Sequence, residues 1–256
     1  MLSLIQNGQK LYYLLWEPSE SAPIVKKIGS LDFPDINFSN KKYITELINN
    51  IVISTGVNNL SFTISNDNVF YSDIEVPKDV DFNEIFKWNQ NQFLEHISDK
   101  YSVYHYPVHY SSTSFFNIHI KKEILSVLKE SFKEINVNVH SISVGIFSAE
   151  IACRKWYNAD SLKKYLVVRL SAKGKSYMLE VVDNKLNRFM IFKKIKNSIQ
   201  PLQVVGNHND FNQIFDLINS VAYNKKLPNH TFSKIFLYGD SLKFINKLLP
   251  DDVNSI

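Results

Sequence analysis

One segment in the second half of the chain carries residue types that could bind phosphate. Residues 169–176 read Arg-Leu-Ser-Ala-Lys-Gly-Lys-Ser. Glycine lets backbone N–H groups approach a phosphate closely, and lysine ammonium groups attract its negative charge. The competing interpretation is a hairpin whose lysines merely face solvent, and the sequence favours this second interpretation. If a nucleotide binds here, its cradle is formed by Ser171, Lys173, Gly174, Lys175 and Ser176.

Two histidines, His105 and His109, are four residues apart, a spacing that metal ligands use on helices. Here Pro107 lies between them in a tyrosine-rich run that alternates like a strand. On a strand, residues i and i+4 are roughly 13 Å apart, too far to share one metal ion without a sharp bend. The spacing therefore favours strand packing, and we expect no metal.

The other reactive residue types form no catalytic constellation. Cys153 is the single cysteine, which excludes an internal disulfide, and its apolar helix-like surroundings supply no obvious base. Carboxylates such as Asp73, Glu75 and Glu84 cannot be paired into an acid and a base from sequence. Phosphate-loop, dinucleotide-binding, nucleophile-elbow and metalloprotease motifs are all missing from the sequence. We therefore expect no enzyme activity.

Composition is that of a globular protein. The 256 residues are 45% apolar and 13% aromatic, enough for one sizeable core or two closely associated lobes. Lysine pairs at 41–42, 121–122, 163–164 and 193–194 spread the net charge of +4, and no continuous basic stripe indicates a nucleic-acid partner. No apolar run is long enough to span a membrane, and the N-terminus lacks a signal-peptide pattern, so we expect a cytoplasmic protein.

The elements that position these residues follow a pattern that occurs twice. In the first half, three short strands precede a helix capped by Ser39 or Asn40, whose apolar residues recur at helical spacing. In the second half, three strands, with a hairpin at 183–185, again precede a helix, then a strand and a last helix. The predicted strands are Leu2–Ile5, Lys10–Trp16, Ile24–Leu31, Tyr165–Leu170, Ser176–Val182, Leu186–Ile195 and Ile235–Tyr238, and the later helices are Asp210–Ala222 and Leu242–Leu249.

The region between these halves adds further strands and helices. Leu60, Phe62 and Ile64 alternate, and the turn Asn66–Asn68 predicts a hairpin that returns through Val69–Val76. The later elements are predicted as a helix at Phe82–Phe93, paired strands at Tyr101–Val108 and Ser114–Ile120, a helix at Lys121–Ile135, a strand at Val137–Val139 and a helix at Gly145–Trp156.

This middle region resembles the PilM-like branch of the actin-like ATPase superfamily. The likeness lies in a strand ending at Val76-Pro77, followed by a helix that carries Trp88-Asn89-Gln90-Asn91-Gln92-Phe93. The resemblance implies an α/β, duplicated actin-like (RNase H-like) fold of two lobes, with a small inserted α+β subdomain in the first half. The first lobe would be 1–160 with its insertion at about 78–142, and the second would be 161–256, truncated at its C-terminus.

The nucleotide loops of that family are degraded in this sequence. Its two aspartates, which organise Mg²⁺, align with Ile5 and Arg169, and the adenosine turn keeps one glycine, Gly239. The resemblance therefore implies a pseudo-ATPase that takes no cofactor. The alternative is a nucleotide-binding or phosphotransferase member of the actin and sugar-kinase superfamily, with diverged phosphate loops.

The resemblance also implies a kind of partner. PilM-like proteins are cytoplasmic and bind the cytoplasmic tail of an inner-membrane protein in pilus or secretion assemblies. We expect this chain to act likewise, with possible self-association and without direct insertion into the membrane. Aromatic anchors of this sort favour protein interfaces. The predicted partner-binding residues are Trp88, Gln92, Phe93, Tyr104 and Tyr106.

Overall fold

The computed structural model describes residues 1–20, 23–35, 38–77, 80–81, 84–85, 100–172, 174–223, 225–239 and 253–255. The chain divides into two compact units. The first comprises Met1–Phe70, Asn83–Tyr104 and Ile118–Ser148, and the second comprises Tyr71–Phe82, His105–Asn117 and Ala149–Ile256. The lobe boundaries expected from the sequence remain predictions, because much of 78–99 lies outside the described residues.

The first sheet has five strands in the order β3-β2-β1-β4-β8. The first three pair antiparallel as a meander, β4 runs parallel to β1, and β8 runs parallel to β4. The strands are β1 (Leu2–Asn7), β2 (Lys10–Glu17), β3 (Ile24–Asp32), β4 (Asn59–Ile64) and β8 (Asn138–Val144).

Two helices, α1 (Lys41–Thr55) and α2 (Lys122–Glu134), pack together in the first unit. The Asn40 side chain accepts a hydrogen bond from the Tyr43 N–H at 3.1 Å, so it is the N-cap of α1, as the sequence predicts. Gly56 ends α1 in the left-handed conformation. The aromatic ring of Phe62 on β4 lies 6.0 Å from that of Phe132 on α2, which joins the helices to the sheet.

A second sheet of three strands has the order β5-β7-β6, from β5 (Val69–Glu75), β6 (Tyr101–Pro107) and β7 (Ser114–Lys121). The predicted pairing of the last two strands is confirmed. The predicted hairpin between β4 and β5 is wrong, because the two strands belong to different sheets. Since β1 and β8 already pair with both edges of β4, no edge remains for β5.

The third sheet lies in the second unit and has the order β12-β11-β10-β9-β13-β14. The hairpin predicted at 183–185 is confirmed, and its turn has two residues, Asp183 and Asn184, because Val182 pairs with Lys185; both turn residues have positive φ, 47° and 63°. The strands are β9 (Lys164–Arg169), β10 (Ser176–Val182), β11 (Lys185–Ile195), β12 (Ser198–Gly206), β13 (Lys234–Tyr238) and β14 (Val253–Ser255).

Two of these strands are not predicted by the sequence analysis. β12 contains Pro201, which cannot donate a backbone hydrogen bond, and the structure places it on an edge strand beside a register shift, where proline is tolerated. β14 is three residues long and pairs parallel to β13. The predicted helix Leu242–Leu249 lies outside the described residues.

The core of the second unit forms between its sheet and helix α4 (Phe211–Ala222). The helix buries its predicted apolar face, and its Asn219 side chain accepts the Ile199 N–H of β12 at 3.2 Å. The fully buried core side chains include Leu166, Val168, Leu170, Met178, Met190, Phe192, Ile218, Ile235 and Leu237.

The two larger sheets share one topology. β11-β10-β9-β13-β14 repeats the order and directions of β3-β2-β1-β4-β8, and a helix precedes β4 and β13 alike. The repeat confirms the predicted α/β duplicated plan. None of the described helices, which include α3 (Gly145–Tyr157), is long and apolar enough to cross a membrane.

Candidate functional site

The turn after Ile5, where the resemblance implies the family's first nucleotide loop, is a plain two-residue turn. Asn7 of β1 pairs with Lys10 of β2, and Gly8 between them has φ 57° with open space around its Cα. The Lys10 ammonium lies 2.5 Å from the Asp32 carboxylate, and this contact raises the lysine's pKa. The loop therefore has the glycine that a tight turn needs, while its lysine already has a carboxylate partner.

The second candidate loop closes on its own side chains. Ser176 Oγ accepts the Ser171 N–H at 3.0 Å, and Ser171 Oγ accepts the Gly174 N–H at 3.1 Å. Both serines are buried, whereas Gly174 and Lys175 are exposed. Lys173 lies outside the described residues. Two of the N–H groups that a phosphate cradle would use are thus engaged within the turn.

Arg169 places a positive charge where the resemblance implies a carboxylate. It pairs with Tyr177 and Tyr238 on the neighbouring strands, and its guanidinium lies 5.7 Å from the centroid of the Tyr177 ring. A cation cannot be a metal ligand. Among the described residues, no group of three or more histidine, cysteine or carboxylate side chains could hold a metal ion.

Gly239 is required by the backbone beside it. The residue has φ 121°, and a Cβ atom there would lie 2.1 Å from the carbonyl oxygen of Leu170. The same strand ends are joined by the hydrogen bond from the Leu170 N–H to the Tyr238 carbonyl, at 2.8 Å. Close packing of β9 against β13 therefore accounts for this glycine without any ligand.

We predict that Gly239→Ala lowers the free energy of unfolding more than Gly8→Ala does. The Gly8 variant would incur only the left-handed backbone cost of about 1 kcal/mol, because its surroundings are open. The Gly239 variant adds a collision with main-chain atoms and should lose more than about 2 kcal/mol. Urea denaturation of both variants measures the difference, and equal losses would contradict the packing role.

The predicted partner surface is only partly described. Tyr104 and Tyr106 lie on β6 and are 46% and 42% exposed, so they are available as aromatic anchors. Trp88, Gln92 and Phe93 lie outside the described residues, so the partner surface as a whole remains a prediction.

An exposed aromatic that the sequence analysis missed is Phe70 on β5, 59% exposed, whose ring lies 5.5 Å from that of Tyr101 on β6. Its signal in the sequence is its position between Val69 and Tyr71, two residues that alternation assigns to the opposite face and that the structure buries.

The two histidines have separate partners. His105 Nδ1 lies 2.6 Å from Asn117 Oδ1, and the Asn117 amide donates to Ser72 Oγ at 3.4 Å, forming a polar row across the three-stranded sheet. Because an amide oxygen only accepts, this network assigns the proton to His105 Nδ1. His109 Nε2 lies 3.1 Å from Asp183 Oδ2.

A buried ionic cluster on α3 was also missed. The Glu150 carboxylate accepts the Tyr165 hydroxyl at 2.6 Å and the Arg154 Nε–H at 2.5 Å. Burial and this hydrogen bond raise the pKa of Tyr165. The i,i+4 spacing of Glu150 and Arg154 is the signal that could have found the ion pair, while the tyrosine is supplied by the fold.

Cys153 lies on α3 with no exposed surface, and burial raises the pKa of its thiol to about 12. The group is therefore a protonated core residue at neutral pH, as the sequence analysis favoured, and not an activated nucleophile.

We predict that the Cys153 thiol reacts with Ellman's reagent at pH 8 only at the rate of unfolding. Since the pKa is higher in the folded than in the unfolded state, where it is about 8.5, stability contributed by the thiol should decline as pH rises above 8.5. The rate of thiol labelling in native buffer, compared with the rate in denaturant, measures the protection of Cys153. The pH dependence of unfolding, compared with that of Cys153→Ala, measures the contribution of the thiol to stability. Rapid labelling of the native protein would contradict the burial.

The chain resembles known proteins at the level of the fold. No protein-family model matches the chain, and no curated protein matches it. Solved structures do match. The chain is similar to a chain of the PilM–PilN type IV pilus biogenesis complex, at 12% identity and a TM-score of 0.63, covering 100% of this chain and 87% of that one.

Two further structures cover the whole chain. The cytoplasmic domain of EpsL, an inner-membrane component of the type II secretion system of Vibrio cholerae, matches at 7% identity with a TM-score of 0.51 over 84% of its length. A Bacteroides thetaiotaomicron protein with an actin-like ATPase fold matches at 10% identity with a TM-score of 0.49 over 90%. The matches to the PilM–PilN complex and to EpsL show that the chain shares the fold of those two proteins. At the level of the fold, the PilM-like resemblance inferred from the sequence is confirmed.

Proposed function

We propose that this chain is a non-catalytic, actin-like scaffold that binds a membrane-protein tail in a pilus- or secretion-type assembly. The observation that carries the proposal is the match over the full chain to the PilM–PilN complex. The similar cytoplasmic domain of EpsL, from an inner-membrane component of a secretion system, supports the same class of assembly. On this proposal the protein works in the cytoplasm and is recruited to the inner membrane by its partner.

The local chemistry supports the pseudo-ATPase part of this proposal. Magnesium-dependent hydrolysis needs carboxylates that organise the metal and free backbone donors around the phosphates. Here Arg169 stands at one carboxylate position, and the turn from Ser171 to Ser176 uses two of its N–H groups internally. Gly239 has a packing role of its own.

The partner-binding part of the proposal rests on β6. Tyr104 and Tyr106 offer large apolar surfaces with polar tips, the residue type that most often anchors protein interfaces. We propose that they act with Trp88, Gln92 and Phe93 to hold an extended segment of the partner. The partner's tail would gain affinity from burying these rings.

We predict that Mg-ATP at millimolar concentration produces no binding heat and no rise in the thermal midpoint. A ligand that binds only the native state stabilises it by RT ln(1 + L/Kd), where L is the ligand concentration, so ligand well above its Kd raises the thermal midpoint measurably. Calorimetry and differential scanning fluorimetry of the wild-type protein measure the two quantities.

Micromolar binding would overturn the pseudo-ATPase proposal. In that case Lys175→Gln shows whether the candidate phosphate hairpin is responsible, with the exposed Lys129→Gln as the matched control. Binding lost only in the Lys175 variant would establish the alternative of a nucleotide-binding or phosphotransferase protein.

We predict that Tyr104→Ala weakens binding of the partner's cytoplasmic tail about tenfold or more, while the thermal midpoint stays within about 2 °C of wild type. The Tyr104 side chain is 46% exposed, so truncation removes little packing in the free protein. Tyr12→Ala, at a similarly exposed tyrosine on β2, is the matched control.

Fluorescence anisotropy with synthetic peptides from the cytoplasmic tails of inner-membrane proteins of the same cell measures this affinity. If both variants bind like wild type, β6 is not the binding surface. If the thermal midpoint of the Tyr104 variant falls well below that of wild type, its ring is a core residue and the assignment fails.

A further inference from the structure

Five lysines that are scattered in the sequence gather at one end of the second unit. Three lie at the tip of the β11–β12 hairpin, and two follow the end of α4. Four of the five are exposed, and one is half-buried. We call this set the lysine patch: Lys193, Lys194, Lys196, Lys225 and Lys226.

The patch is organised around Tyr223, which follows α4. The Lys194 ammonium lies 4.9 Å from the centroid of the Tyr223 ring, and the Lys225 ammonium lies 5.4 Å from it. The Tyr223 hydroxyl donates to the Ser198 carbonyl at 2.7 Å, and Lys225 donates to the Asn197 carbonyl at 3.3 Å. The hairpin tip and the segment after α4 are thus held together by contacts that bring two cations onto one ring.

These positive charges are not neutralised by the described part of the chain. No described carboxylate forms an ion pair with any lysine of the patch. Asp216 is the nearest acidic residue along α4, and it precedes Tyr223 by seven residues, roughly 10 Å along the helix axis. Burial lowers the pKa of Lys194. Like charges gathered in this way repel one another, and an anionic ligand would offset that cost.

Apolar side chains accompany the charges. Ile195, between Lys194 and Lys196, is 46% exposed, and Leu202 on β12 is 44% exposed. Lys196 forms the turn with φ 51°, directly after Ile195. A hairpin tip that presents an isoleucine among lysines combines the two features of proteins that lie on membrane surfaces, apolar contact and attraction to anionic headgroups.

We propose that the lysine patch docks this protein on an anionic phospholipid surface, with its ammonium groups on the headgroup phosphates and Ile195 at the interface. The proposal stands independently of the function proposed above. The exposed apolar tip favours a lipid surface over a nucleic acid, which would be recognised by a longer basic stripe or by exposed stacking rings. Docking of this kind is peripheral and reversible, because it rests on surface charges and on one apolar side chain at the interface.

Vesicle sedimentation tests the proposal. The wild-type protein should bind vesicles of equal parts phosphatidylglycerol and phosphatidylcholine, bind pure phosphatidylcholine vesicles far less, and dissociate as salt rises. The double variant Lys196→Gln/Lys226→Gln should lose about thirtyfold in partition coefficient. Both side chains are exposed, so an unchanged thermal midpoint should accompany the loss.

The matched control is Lys122→Gln/Lys129→Gln, two exposed lysines on α2 with the same change of net charge. This variant should keep binding within about threefold of wild type, since net charge alone acts weakly at a distance. Equal losses in both double variants would mean that overall charge attracts the protein, and they would overturn the proposal. So would an absence of binding to the phosphatidylglycerol vesicles.

Two further experiments distinguish a lipid surface from other phosphate-bearing ligands. Inorganic phosphate at millimolar concentration should not displace the protein from vesicles more than chloride does at equal ionic strength, because a surface engages many headgroups at once. Displacement specific to phosphate would identify a pocket for a free anion and overturn the lipid surface. Tighter binding to mixed-sequence duplex DNA than to vesicles, lost with the same two lysines, would identify a nucleic-acid site instead.

Discussion

The parallel pairing of β1 with β4, and of β9 with β13, is the constraint on which each unit depends. Parallel neighbours cannot be joined by a tight turn, so the chain must cross over through a helix, α1 in one unit and α4 in the other. Each crossover helix buries its apolar face in the core of its own unit, and the central strands lose both free edges. This is why the four inner residues of β9, Tyr165 to Val168, are buried, whereas the edge strand β3 is mostly exposed.

The same pairing determines the backbone at the strand ends, where ligands of such folds bind. The end of β9 and the end of β13 approach so closely that Gly239 has no room for a side chain. The adjacent turn is held by two buried serines, and Arg169 stacks on Tyr177 beside it. Conformational requirements of the sheet thus account for Gly239 and for both serines, and Arg169 has the wrong charge for a metal ligand.

Charge is distributed differently in the interior and on the surface of the second unit. Inside, Glu180 and Arg188 are both about 1% exposed, and the Arg188 Nε atom lies 3.6 Å from the carboxylate and donates to the Asn207 carbonyl. A buried charge left alone would cost several kcal/mol, so these groups are found together. At the β11–β12 tip, by contrast, lysines gather without an ion pair to any described carboxylate. Solvent and salt weaken the repulsion between these exposed charges, and a bound anion would offset the rest.

By itself, the sequence determined local elements: a cap of α1 at Ser39 or Asn40, of which the structure selects Asn40, the hairpin at 183–185 and the apolar face of α4. Helical periodicity and turn chemistry depend on near neighbours. The partial motif in the middle of the chain also indicated the duplicated plan. Only the tertiary structure decided that β4 and β5 enter different sheets, that Pro201 lies on an edge strand, that Gly239 is needed for packing, and that Lys194 and Lys225 share one tyrosine ring. These features join residues far apart in the chain, and such contacts leave no pattern in the local sequence.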